Sequence, residues 1–448
     1  MKNRFGIALA ISILTGCALT PGQTISQLVP GSLEALSRPA IGGKAYENFK
    51  IAPNLPKSED SRLAVKLTYL MTDDTGHQSP WSLKMLNLMD DLPQSKIHNV
   101  VFRDGGELGD SRLYYIQKGD EDSNKVNNPQ SLLAPGVSEV QSNNPKVFSQ
   151  ILGWTLDHYP GQRKYLQLYT HGAGVFGVGC DEKQTDLKGK LLPDDQNIWA
   201  MPIPDFAEAL RQGLKGRQLD LIYFRACLMG NVEALYELRG TTRYALASED
   251  VSYSVDNSNL WMTKSFDDLA SQNVDPKEIA RQLAIQAHSK HPQVGDTMYG
   301  YTTFAAVDID KMTELKGAIN SLALALKAAM ATHRAEIVAA YDAVPTVQGD
   351  AEAKEYYQQM RDLWAFTAQL MQKVTEKGVL SAVAGVRSAQ EAAMIHEKDS
   401  FGSAANGLSI LMPARNQMDK YGKYIDSAYQ KTRFAKDTAW DDFLRLMK

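Results

Sequence analysis

Leu219-Asp-Leu-Ile-Tyr-Phe-Arg225-Ala-Cys227-Leu-Met-Gly230 is a run of strand-forming residues that passes without a break into a short turn carrying a cysteine. A run apolar at nearly every position, rather than at alternate ones, predicts a strand buried on both faces, as in a parallel sheet. A second stretch has the same plan: Tyr165-Leu-Gln-Leu-Tyr-Thr-His171-Gly172-Ala-Gly174, a strand ending in His-Gly. Open α/β sheets place their ligands at the C-terminal ends of such strands. A thiol at neutral pH needs a base or a cation to hold its thiolate form, and histidine supplies either. His171 and Cys227 at neighbouring strand tips therefore make a nucleophilic dyad.

Outward from these two strands the pattern repeats. Leu63–Met71, Asn99–Phe102, Arg112–Ile116 and Tyr301–Ile309 read as further strands; Pro145–Tyr159 and Pro204–Leu214 read as helices, and another helix starts near Pro80. Strands alternating with helices predict a largely parallel sheet covered on both faces. Further on, the spacing predicts helices over Lys311–Ala340, Ala351–Glu376, Ala382–Glu397 and Thr438–Met447, and a strand over Gly407–Met412 that stops at Pro413. There is no repeat of fixed period and no Gly-rich phosphate loop after a strand.

The composition of the 448 residues, 44% hydrophobic and 22% charged, excludes collagen-like and wholly disordered classes. Lys and Arg number 48 against 52 Asp and Glu, so no excess of positive charge exists to neutralise a phosphate backbone, and no nucleic-acid partner is expected. Three cysteines exclude a disulfide scaffold. The eight His are scattered without a His-Glu-x-x-His string, and no metal ligand set is assigned.

The N-terminus carries Lys2 and Arg4, then the apolar run Phe5–Leu14, then Leu14-Thr15-Gly16-Cys17. Charge, a short apolar segment and a small-residue exit describe a secretory signal too short to span a bilayer. The Leu-Thr-Gly-Cys string resembles the bacterial lipobox, which implies cleavage after residue 16 and lipid on Cys17. Removal of residues 1–16 deletes two positive and no negative charges, taking the net charge from −4 to −6. Residues 17–60, rich in Pro, Ser, Gly and Asn, read as a tether between lipid and body. The expected product is an exported lipoprotein on the outer membrane or cell surface; Ala18 after the Cys implies the outer membrane by resemblance to Gram-negative sorting rules.

His171-Gly172 and Ala226-Cys227-Leu228-Met229-Gly230 resemble the active-site motifs of clostripain-like cysteine peptidases, relatives of caspases, gingipains and legumain. His precedes Cys by 56 residues, near the spacing of about 50 found in caspases. Other strings fall in the family's order: Tyr69-Leu-Met71, Leu88-Met-Asp90, Glu233-Ala-Leu-Tyr-Glu-Leu238, Ala247-Ser-Glu249-Asp250, Asp362-Leu-Trp364 and Gly407-Leu-Ser-Ile-Leu-Met-Pro413. The resemblance covers residues 62–448 and implies a caspase-like α/β/α sandwich. Residues 61–448 form the peptidase domain, with the caspase-like core about 62–310 and helical additions with a closing strand about 311–448. It implies that Cys227 is the nucleophile of an endopeptidase acting on polypeptides, and that His171 protonates the leaving amine. The backbone N–H groups of Gly172 and Cys227 would form the oxyanion hole. Cys180, off any assigned strand tip, is expected to be non-catalytic. No cofactor is required; calcium enters only because related clostripains use it.

One position departs from the family. Where its members generally carry Asp, two residues before the nucleophile at the floor of the specificity pocket, this chain carries Arg225. A guanidinium there repels a basic substrate side chain and holds a carboxylate. The alternative is that Arg225 is turned away or neutralised by Glu249, Asp250 or Asp256. The altered pocket also motivates a second reading, a lipoprotein that uses the peptidase fold as a binding module.

Overall fold

The buried runs assemble into an eight-stranded sheet in the computed structural model, which describes residues 49, 51, 57–72, 82–83, 85–86, 89, 96–116, 132–134, 136–179, 181, 200–250, 252, 258–289, 303–347, 357–396 and 405–448. Its strands are β1 (Arg62–Met71), β2 (Ile97–Asp104), β3 (Arg112–Tyr115), β4 (Gly161–Tyr169), β5 (Leu219–Arg225), β6 (Thr242–Ser248), β7 (Phe304–Asp308) and β9 (Met394–His396). The order across the sheet is β3-β2-β1-β4-β5-β6-β7-β9. The five central strands β2-β1-β4-β5-β6 are parallel, and β3, β7 and β9 extend the two sides antiparallel. Chain order reverses direction between β1 and β4, the switch point beside which the two quoted motifs end.

Alternate residues of each central strand feed separate cores. On β5, Ile222 and Phe224 join the larger cluster, under helices α1 (Pro145–His158) and α2 (Ile203–Leu214). Leu221 and Tyr223 join a second cluster under α4 (Ser258–Ser271) and α5 (Pro276–Ser289). Helix α1 starts where its sequence directs: Asn144 accepts the Lys146 N–H and Pro145 stands at the first helical position. The short helix α3 (Val232–Glu237) follows the β5 turn, capped by Asn231.

The C-terminal third wraps the larger core. It comprises α6 (Met312–Asp342), which leaves helical geometry at His333, then α7 (Leu363–Lys373) and α8 (Lys377–Ala393), and finally α9 (Met418–Ile425), α10 (Arg433–Asp437) and α11 (Trp440–Arg445). No helix among the described residues is long and apolar enough to cross a membrane.

Apart from the helix expected from about Pro80, whose start lies outside the described residues, the strands and helices quoted above recur with ends shifted by a few residues, and five differences stand out. The helix expected over Ala351–Glu376 is broken by β8 (Met360–Asp362), because Asp362 is extended and its carboxylate caps α7 through the Ala365 N–H. The helix expected to reach Glu397 stops at Ala393, where β9 joins β7. The strand expected over Gly407–Met412 is β10 (Ser409–Leu411), which pairs antiparallel with β8 in a separate two-stranded sheet and does not close the main one. Strand β6 and helices α4 and α5 were not foreseen. The tether is shorter than residues 17–60: Phe49 and Ile51 pack into the larger core, and Ser58 N–H donates to the His158 carbonyl at 2.8 Å. Cys17, with the rest of residues 1–48, lies outside the described residues.

Candidate active site

Strands β4 and β5 run in register from Tyr165 opposite Leu221 to Tyr169 opposite Arg225. The ladder continues one bond further, Thr170 N–H to the Arg225 carbonyl at 3.3 Å. Two residues past the last pair on each strand stand His171 and Cys227, so the dyad expected from sequence occupies adjacent tips of one sheet. Both are buried, at 8% and 3% exposure, at the C-terminal edge.

After His171 the chain folds back on itself. Gly179 N–H donates to the His171 carbonyl at 2.9 Å and Ala173 N–H to the Gly177 carbonyl at 3.0 Å. Gly172 lies against the Cys227 backbone: a Cβ there would stand 2.2 Å from the Cys227 carbonyl oxygen. A side chain there would force the Cys227 backbone to shift, so only glycine fits this approach.

The turn after Cys227 is strained and tied from both sides. Leu228 adopts φ +63°, costly for a branched side chain, and its N–H donates to the Asp250 carbonyl at 3.1 Å. Gly230 N–H donates to the Ser248 carbonyl at 2.7 Å, and Ser409 of β10 donates to the Gly230 carbonyl at 2.9 Å. Ser252 N–H points at Cys227 Sγ, 3.4 Å away. The segment after β6 thus touches the thiol itself. Neither Ser252 nor the Leu228 conformation had a signal in the sequence, since one is a tertiary contact and the other a backbone state that residue type disfavours.

Arg225 is buried beside these groups, its guanidinium carbon 5.7 Å from the Tyr169 ring centre and 5.6 Å from that of Tyr223. Of the acids considered for neutralising it, Glu249 is directed elsewhere. Its Oε2 accepts the Gly407 N–H at 2.7 Å and its carboxyl meets Asp362, which removes it from the pocket candidates. Asp250 is buried with its backbone engaged by Leu228 and by Thr303, whose Oγ1 accepts the Asp250 N–H at 2.9 Å. Asp256 and Cys180 lie outside the described residues.

One cluster among the described residues has metal-ligand spacing. Carboxylate oxygens of Asp104, Asp110 and Glu139, at the C-terminal end of β2, lie within 4.8 Å of one another. Burial and mutual repulsion push Asp104 up to about 7 and Glu139 up to about 8. Their oxygens suit a hard cation such as calcium. Each already has a protein donor: Ser111 Oγ for Asp104, Gly105 N–H at 2.8 Å for Asp110, and Gly109 N–H at 2.6 Å for Glu139.

Comparisons with known proteins return one family. Clostripain of Hathewaya histolytica is 25% identical over 170 residues, a match spanning 37% of this chain and 31% of that protein's length. The inactive zymogen of a C11 protease from Parabacteroides distasonis superposes with TM-score 0.55 at 18% identity, covering 85% of this chain and 99% of the other. A secreted C11 cysteine protease from Bacteroides thetaiotaomicron, solved with an irreversible peptide inhibitor, gives TM-score 0.52 at 14% identity, covering 82% and 99%. At these identities the superpositions establish the α/β fold. The clostripain family model matches residues 69–446, and the chain belongs to that family.

Proposed function

We propose that the protein is an exported, lipid-anchored cysteine endopeptidase in which Cys227 attacks the scissile carbonyl and His171 carries the proton. The observation that carries this reading is the juxtaposition at the β4 and β5 tips, with Gly172 pressed against the Cys227 carbonyl. In the first half-reaction the thiolate forms a bond to the carbonyl carbon, and the oxyanion is received by the N–H groups of Gly172 and Cys227. His171 gives its proton to the leaving amine as the C–N bond breaks, leaving a thioester on Cys227. In the second, His171 takes a proton from water, hydroxide displaces the thiolate, and the product leaves as a carboxylic acid. Ser252 N–H supports the thiolate between turnovers. The inhibitor-bound neighbour supports a polypeptide as substrate.

Arg225 sets the preference for the residue before the scissile bond. A buried cation flanked by Tyr169 and Tyr223 disfavours Arg and Lys and accepts an acidic or neutral side chain. Leu14-Thr-Gly-Cys17 supports the lipid anchor. The test is a peptide library varied at that residue, run beside peptide acyloxymethylketones that label the nucleophile. His171-dependent labelling of Cys227 and turnover of acidic or neutral peptides are expected. Absence of both would leave the chain a binding module on a peptidase fold.

A further inference from the structure

The end of β6 and the segment after it hold the nucleophile turn at three points: the Ser248 carbonyl on Gly230, the Asp250 carbonyl on Leu228, and Ser252 N–H on Cys227 Sγ. In its middle stands Glu249, fully buried and facing away from the site into the C-terminal third. Its partner there is Asp362, equally buried, at the junction of β8 and α7. Two carboxyls buried against each other cannot both be charged, and the donors present decide which one is. Asp362 already has three donors: Oδ1 accepts the Ala365 N–H and Asn406 Nδ2 at 3.0 Å, and Oδ2 accepts the Asn406 N–H at 2.6 Å. On Glu249, Oε2 accepts the Gly407 N–H, while Oε1 is buried with no donor aimed at it. Asp362 is therefore the carboxylate, and the proton of the pair belongs on Glu249, which donates it to Asp362.

Building on the reading of Cys227 as nucleophile, we propose that protonated Glu249 is a positioning residue for the catalytic turn. Its hydrogen bond to Asp362 clamps the 248–252 segment against Cys227, and its ionisation releases that clamp and limits turnover at alkaline pH. The charged groups that act on it are Asp362 and Asp250, both acidic. Together with burial they hold Glu249 well above the ordinary carboxylate range. Ionisation would set two buried negative charges against each other at the base of the segment whose far end touches the thiol.

The experiment uses the full chain with Glu249→Gln, Glu249→Ala and Cys227→Ala. Gln offers Asp362 an N–H donor and Gly407 a carbonyl but cannot ionise. Three readouts are followed from pH 5 to 10: kcat and KM on a library-selected peptide, the rate of Cys227 alkylation by iodoacetamide, and the melting temperature. Glu249→Gln is expected to keep kcat within about twofold of wild type at pH 6 and to carry its alkaline limb at least about one pH unit higher. Glu249→Ala, folded by circular dichroism, should lose about 10- to 100-fold in kcat with little change in KM, as a misplaced nucleophile does. Superimposable pH profiles for wild type and Glu249→Gln would overturn the proposal. So would a Gln variant that changes only the melting temperature, which would make Glu249 structural alone. Undiminished turnover in Cys227→Ala instead overturns the nucleophile assignment, and with it this role for Glu249, whatever the other variants do.

Discussion

Ser252 N–H lies 3.4 Å from Cys227 Sγ, on a segment that belongs to neither of the strands carrying the dyad. The thiol thus has a backbone donor that does not depend on histidine. Under the proposed mechanism, loss of His171 therefore removes proton transfer without removing all support for the thiolate.

His171→Ala is accordingly expected to lower kcat by about 100- to 10,000-fold, the usual worth of a general acid, while Cys227 still reacts with iodoacetamide below the pH expected of a free thiol. Cys227→Ala should abolish both, and Cys180→Ser should retain turnover. Kinetics and mass-spectrometric mapping of the alkylated residue check all three. Loss of activity in Cys180→Ser alone would move the chemistry to Cys180 and refute Cys227 as the nucleophile.

Arg225→Asp should reverse the ranking of substrates. Two unit charges about 4 Å apart interact by roughly 4 kcal/mol at an effective dielectric near 20, and even a quarter of that is several-fold in rate. Wild type is expected to cleave Asp, Glu, Ala or Asn substrates better than matched Arg and Lys ones, and the variant to prefer the basic pair. Autocleavage after Lys183, Lys188 or Lys190 in pure wild type, absent in Cys227→Ala, would show that Arg225 does not govern selection.

Lys66 on β1 and Asp267 on α4 form a fully buried ion pair, with Asn99 Nδ2 also donating to Asp267 at 3.2 Å. Replacing Lys66 alone by Met leaves an unpaired buried carboxylate and should cost about 3–5 kcal/mol in urea unfolding. Lys66→Met with Asp267→Leu should recover most of it, since two apolar groups leave no charge without a partner. A double variant no more stable than the single one contradicts this.

Stability should fall as pH rises. Asp104, Glu139 and Glu233 are raised by burial to about 7, about 8 and about 7. Unfolded, they release protons near the ordinary carboxylate range of about 4. Between about pH 4 and 8 the native state therefore binds more protons than the unfolded one, and the slope of stability with pH is negative across that window. Melting temperature should be higher at pH 5.5 than at 8.5, and Glu233→Gln should flatten part of the slope. A rise in melting temperature over this range would contradict the assignment.

If Leu14–Cys17 is a lipobox, the protein will partition into detergent and incorporate labelled fatty acid, and Cys17→Ser will abolish both. Fully soluble, unlabelled wild type would refute the anchor.

The central sheet was legible because β5, most of β1 and the Tyr165–Tyr169 half of β4 are buried on both faces and so are largely apolar. Strand β6 escaped notice because its buried half, Ala245-Leu-Ala-Ser248, is built of small residues that match helix composition as readily. The residues of β8 sit inside a helical pattern, and only pairing with β10 and capping by Asp362 separate them from it. In the candidate site, the placement of His171, Gly172 and Cys227 just past strand ends, and of Arg225 as the last residue of β5, was legible from the strand pattern. Ser252 and the Asp362 partner of Glu249 were not, since their roles arise from segments brought together only by folding.

The chain on either side of residues 182–199 is fastened independently. Asp181 Oδ2 accepts the Ser142 N–H at 2.8 Å, while Met201 and Val178 exchange N–H···O bonds of 2.9 and 3.0 Å. A severed peptide bond between them would divide β1–β4 from β5–β10 in covalent terms, yet β4 and β5 would remain zipped edge to edge beneath His171 and Cys227. The two fragments would share one active site, migrate separately only in denaturant, and melt as a single unit.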